Sequence, residues 1–168
     1  FIHSLNRLPS YRENMVMGYR MKAELGVPGI EAKIKALREG MEKTGPHPVL
    51  LNGLGAIYRH LEEFEKAQAF HLRAIKEFPG DPHGYIQLSY DYARLKNDKA
   101  QAIKVLESHE APNKNSYLYY FRLGELYMVT GEWKKMESAL RKGIKLNRVP
   151  NIYTLQTGEP YYLLAQAC

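Results

Sequence analysis

The sequence predicts an all-α chain built from repeated antiparallel helix pairs. Three observations predict it. Leu51, Leu54 and Tyr58 recur at three- and four-residue spacing, which puts them on one face of a helix. The same spacing returns in Tyr85, Leu88 and Tyr92, and again in Tyr120, Leu123 and Tyr127. Breakers fall between the periodic stretches, and Pro82 lies 34 residues after Pro48, each proline placed to open a helix.

Residues 1–10 form an N-terminal segment without an assigned element. Ser10 is read as a helix cap. Tyr11 to Glu24 then reads as a helix with Val16, Met17 and Met21 turned inward, and Met17-Gly18 in the place of Leu54-Gly55. Leu25-Gly26-Val27-Pro28-Gly29 breaks it. Ile30 to Met41 follows as a second helix, with Ile34, Ala36 and Leu37 inward. Residues 11–47 thus read as a degenerate helix pair.

Residues 48–81 are the most regular pair. Gly55 sits on the packing face of its first helix. An interior glycine costs about 1 kcal/mol relative to alanine, so its presence predicts a close neighbour. Ala67 and Ala74 are small in the same way on the second helix, beside Phe70 and Ile75, and Pro79-Gly80 ends it. In residues 82–116, Asp81 is the cap and Ser89 replaces Gly55. The turn from Lys96 to Lys99 reads as one residue short, which gives Ala100 the role of Ala67. Ile103 and Leu106 line the partner helix, which is expected to end near Ala111-Pro112. Residues 117–150 repeat the pattern with Gly124, a turn at Gly131-Glu132-Trp133, and Met136, Leu140 and Ile144. In residues 151–168, a linker precedes a last helix carrying Tyr161, Leu164, Ala165 and Cys168, expected to be a truncated repeat or a capping helix.

The pattern Leu51-x-x-Leu54-Gly55-x-x-Tyr58, then Ala67, His71, Ala74 and Pro79, resembles the tetratricopeptide repeat. Leu51 stands where that family often has tryptophan, and His71 where it prefers an aromatic. The resemblance covers roughly residues 11–168. It implies a right-handed α-solenoid of stacked antiparallel helix pairs and a concave groove that takes a peptide or a partner helix.

Composition narrows the function. Hydrophobic residues at 45% and charged residues at 25% suit an ordinary soluble fold, and no apolar run reaches the ~20 residues of a membrane span. The chain begins at Phe1, so a fragment or processed form is expected, and the compartment stays open between cytoplasm and export. The single Cys168 precludes an internal disulfide or thiolate cluster. His60, His71 and His83 form no His-x-x-x-His pair, so no metal or other cofactor is expected. Asp91 and Glu125 have no partner carboxylate nearby, and no phosphate loop or nucleophile elbow occurs. The expectation is a non-enzyme.

Under the resemblance, residues one position after each packing residue line the inner wall. These are Met15, Tyr19 and Lys22, then Asn52, Ala56 and Arg59, then His83, Ile86 and Tyr90, then Phe121, Glu125 and Met128. Such a wall of apolar and aromatic groups with a few polar ones suits an apolar segment as ligand. Packing between adjacent first helices is expected to account for part of it. The basic and amide groups would hold the ligand backbone or a carboxylate. The family's carboxylate clamp is not reproduced. A second face is basic: Lys134, Arg141, Lys145 and Arg148 lie on one side of a helix within a stretch where six basic residues meet one acid, Glu137. A solvated outer face is the favoured account, ahead of contact with nucleic acid or an anionic surface. A permanent place in a larger complex, or a regulatory part of an enzyme with chemistry elsewhere, are the alternatives to a peptide-binding scaffold.

Overall fold

The computed structural model describes residues 9–26 and 28–147. Within them every regular element is a helix. The chain divides into two compact units, Phe1–Phe78 and Pro79–Cys168.

In the first unit, α1 (Pro9–Met21) runs into a π-helical turn, Lys22–Gly26, and pairs with α2 (Ile30–Thr44). Helix α3 (Pro48–His60) pairs with α4 (Phe64–Glu77) and also packs on both α1 and α2. The second unit repeats this scheme. Helix α5 (Pro82–Leu95) pairs with α6 (Lys99–Glu107), a one-turn α7 (Glu110–Asn113) follows, and α8 (Tyr117–Thr130) pairs with α9 (Trp133–Leu146). Helix α8 packs on α5 and α6 as α3 packs on α1 and α2. Within each unit, the second pair therefore covers the open face of the first.

The helix starts follow from the sequence. Pro48 and Pro82 occupy first-turn positions, and the Asp81 carboxylate accepts from the His83 N–H. His47 caps α3 through Nδ1, and Ser116 caps α8. Helix α1 begins at Pro9, so Ser10 lies inside its first turn and does not flank it.

The turns inside the three regular pairs share one device. The Tyr58, Tyr92 and Tyr127 carbonyls accept from Glu63, Asp98 and Glu132 N–H at 2.9, 2.9 and 2.8 Å. Glu62, Asn97 and Gly131 take the left-handed conformation that closes each turn. From tyrosine to left-handed residue is four positions in the outer two turns and five in the middle one. The middle segment is thus one residue longer, contrary to the short turn expected. Asp98 caps α6 by accepting from Gln101 N–H, and Ala102, fully buried, takes the role of Ala67. Ala100 is exposed.

Glycines mark where helices meet. A Cβ on Gly55 would stand 2.2 Å from Nε2 of the fully buried His71, and one on Gly124 would stand 2.5 Å from Leu140. In the first pair the arrangement moves to the other helix: Gly40 of α2 lies against Tyr19 of α1, 2.9 Å from the site of a Cβ. The register of α1 follows. Buried Val16 and Ala23, with Tyr19 packed against the core, repeat the spacing of Leu51, Leu54 and Tyr58. Met17 and Met21 are exposed and Gly18 has nothing within 4 Å, so the expected inward Met17-Gly18 is displaced by two residues. Arg12 fastens α1 to the end of α2, donating to the Thr44 and Pro46 carbonyls at 2.8 Å each.

The residue 1–8 segment, the stop at Pro150, Arg148 and the residue 151–168 helix lie outside the described residues.

Candidate partner-binding surfaces

The corrected register changes which residues of the first unit occupy the positions expected to face a ligand. Val16 takes the place of Leu51, so the positions matching Asn52 and Ala56 are Met17 and Met21. Leu25, one turn further on in the π-helical turn, is 81% exposed. Met17, Met21 and Leu25 recur at four-residue spacing and make an exposed apolar stripe beside the open space over Gly18. The residues expected there do other work. Tyr19 packs on Gly40, Lys22 pairs with Glu39 at 3.1 Å, and Met15 is half-buried. Asn52 is buried and its Oδ1 has no hydrogen-bond partner, while Ala56 and Arg59 are half-buried.

The second unit holds a network that sequence inspection misses. Arg122 follows Phe121 on α8, and its side chain is only 9% exposed. Its guanidinium lies 3.6 Å from the centre of the Tyr90 ring. It donates through Nε to Ser89 Oγ at 3.0 Å, through NH2 to the Ser89 carbonyl at 3.3 Å, and through NH1 to Glu125 Oε2 at 3.0 Å. The Tyr90 hydroxyl donates to the same Oε2 at 3.4 Å. One buried cation thus ties α5 to α8 and fixes two of the expected wall residues, Tyr90 and Glu125. Ser89 stands where the other regular pairs have glycine, and there its hydroxyl and carbonyl become acceptors for the arginine. A polar residue at a small-residue packing position, one repeat before an arginine, is the signal that could have found it.

Phe121 and Ile86 are buried, so neither is an open wall residue. Phe121 is wedged against Gly143 of α9 and edge-on to Tyr117. His83 is exposed, its Nδ1 2.7 Å from Asp81 Oδ1, and Met128 is half-buried.

No family model matches the sequence, and no curated protein matches it. Solved structures do. TTC0263, a tetratricopeptide-repeat protein of Thermus thermophilus, superposes with a TM-score of 0.68 at 21% identity, over 93% of this chain and 80% of that one. This chain has the tetratricopeptide-repeat fold. A chain of the APC/C hetero-tetramer Cut9-Hcn1 gives 0.66 at 17% identity over 93% of this chain, which spans only 29% of that longer one. MamA of Desulfovibrio magneticus gives 0.55 at 18% identity, over 92% and 91% of the two chains.

On this tetratricopeptide fold the basic residues of α9 separate into two groups. Lys135 and Lys142 close a pair of clamps in the second unit. Lys142 donates to Glu110, which also accepts from the Tyr120 hydroxyl, both at 3.1 Å. Lys135 lies 3.6 Å from Glu107, which accepts from the Tyr127 hydroxyl at 2.7 Å. Each ammonium sits 5.3 Å from the centre of its tyrosine ring. These groups line a cleft of about 340 Å³. The Lys142 bond holds the Glu110 carboxyl below its usual range, and burial pushes the Tyr119, Tyr120 and Tyr127 phenols up. Lys134, Arg141 and Lys145 are exposed, and Arg141 is held by Glu137 at 2.8 Å. Among the described residues, no helix is long and apolar enough to cross a membrane, and no group of three His, Cys, Asp or Glu could hold a metal.

Proposed function

We propose that this chain is a non-catalytic protein-interaction scaffold that takes a peptide or a partner helix against the inner wall of its first helices. The observation that carries this reading is the exposed Met17–Met21–Leu25 stripe beside Gly18. Helix faces in a soluble fold are normally polar where they meet water. A run of flexible thioethers on such a face suits an apolar ligand whose side chains it can mould around.

The test compares wild type with Met17→Ser/Met21→Ser in affinity capture from native extract, read by quantitative mass spectrometry. Both methionines are exposed, so helix content by circular dichroism is expected to be unchanged. A partner retained by wild type and depleted at least tenfold by the double variant supports the wall. Equal capture by both refutes it. Tyr90 and Phe121 are poor choices for this test because Arg122 stacks on the first and the second is core.

Permanent assembly within a larger complex is the second reading, motivated by the hetero-tetramer that contains one of the structural neighbours. Light scattering separates the two: self-association or aggregation of the purified chain favours assembly, and a monodisperse monomer favours reversible ligand binding. Enzyme regulation would require chemistry outside these residues.

A further inference from the structure

We propose that the second unit's wall recognises a basic group, a lysine or arginine side chain of the docked segment, at Glu125. This deepens the interaction reading above and rests on it.

The geometry makes Glu125 a prepared acceptor. Both of its hydrogen bonds, from Arg122 and from the Tyr90 hydroxyl, fall on Oε2. Oε1 has no protein partner among the described residues. The side chain is 34% exposed whereas that of Arg122 is 9% exposed. The positive end of this pair is therefore turned into the protein and the negative end faces solvent. A free surface glutamate would lose side-chain freedom on binding a cation. Here that freedom is already gone, because Arg122 is itself fixed by Ser89 and the Tyr90 ring. A charge-assisted bond to Oε1 then adds to a ligand's affinity with little ordering cost.

The position is also distinctive within its unit. The residue matching Glu125 on α5 is Tyr90, which carries no charge and donates its hydroxyl to Glu125, so this face offers a ligand cation a single acidic position.

The network also has a structural role, and Glu125→Gln separates the two. The amide oxygen can still accept from Arg122 and Tyr90, so the tie between α5 and α8 persists while the negative charge is lost. The probes are capped amphipathic dodecapeptides of leucine and glutamine with lysine, norleucine or glutamate at one central position. They are titrated into the ¹⁵N-labelled chain, following the amides of residues 86–128. The lysine peptide is expected to bind about fivefold more tightly than the norleucine peptide, with the glutamate peptide weakest. In Glu125→Gln the lysine advantage is expected to vanish while the norleucine affinity stays the same. Equal binding of lysine and norleucine peptides to wild type, or a lysine advantage that survives Glu125→Gln, overturns the cation assignment and leaves the wall reading standing. If none of the three peptides shifts these amides, the cation assignment fails, and the wall reading is decided separately by the Met17→Ser/Met21→Ser capture.

Discussion

Replacing Gly55 by alanine tests the packing argument with opposing forces. Helix propensity alone favours alanine by about 1 kcal/mol. The structure opposes it, because the new methyl would fall 2.2, 2.5 and 2.7 Å from three atoms of the His71 ring. That ring is fully buried, so it has nowhere to swing without disturbing the core. Overpacking of this kind costs about 1–3 kcal/mol, and the three-atom contact argues for the upper half of that range. The net expectation is a loss of about 1–2 kcal/mol. Gly18→Ala is the control: the same propensity gain applies, and nothing lies within 4 Å of the new methyl. It should stabilise by up to ~1 kcal/mol. Urea unfolding followed by far-ultraviolet circular dichroism measures both, and thermal midpoints should move in opposite directions by about 2–4 °C per kcal/mol. Placing Gly55→Ala in a His71→Ala background should remove the steric cost and leave the propensity gain, a coupling of about 2–3 kcal/mol. A Gly55→Ala variant that stabilises as Gly18→Ala does, or whose cost is unchanged once His71 is truncated, would refute steric contact with His71 as the reason for this glycine.

Two further outcomes follow from the second unit. Arg122→Lys should cost roughly 2 kcal/mol in urea unfolding, because a lysine cannot reach Ser89 and Glu125 together while stacking on Tyr90; a change within about 0.5 kcal/mol would mean that Arg122 behaves as an ordinary surface charge. The Tyr127 phenol is pushed above its ordinary value of 10.0, first by burial and then by its bond to Glu107. The native state favours its neutral form, so the stability it contributes is complete below about pH 10 and is lost as pH rises further. Tyr127→Phe should therefore flatten the fall of the urea midpoint between about pH 10 and 11, and an unaltered slope would exclude Tyr127 from it.

The regular pairs were legible because their signals are local. Proline at a first helical turn, a cap such as Asp81, and apolar residues three and four apart each act within one turn of backbone, so spacing alone locates them. The first pair was harder. Two residues, Met17-Gly18, imitate Leu54-Gly55, but the small partner that lets the helices approach is on α2, at Gly40. Only the contact with Tyr19 reveals that exchange, and the exchange hides which methionines face water. In the middle pair the extra residue falls between Tyr92 and Asn97, within Ala93-Arg94-Leu95-Lys96, where no glycine or proline marks the point at which the helix stops. Arg122 escaped for another reason. An arginine in a helix is usually solvated, and its burial depends on a serine 33 residues away.

The shifting glycine contacts have a consequence for how such arrays change over time. The first pair keeps its glycine on the second helix, the 48–81 pair on the first, and the last pair on both, at Gly124 and Gly143. Each pair is a matched lock whose two halves must change together, yet nothing requires neighbouring pairs to use the same lock. Helices from different pairs are therefore not spare parts for one another. Joining α1 to α4 would set Tyr19 and Arg20 against His71, whereas joining α3 to α2 would leave two small residues, Gly55 and Gly40, sharing one interface. Compensation confined within pairs lets the residues of an array drift apart while the backbone stays constant, as in a chain that superposes on its neighbours at 21% identity or less.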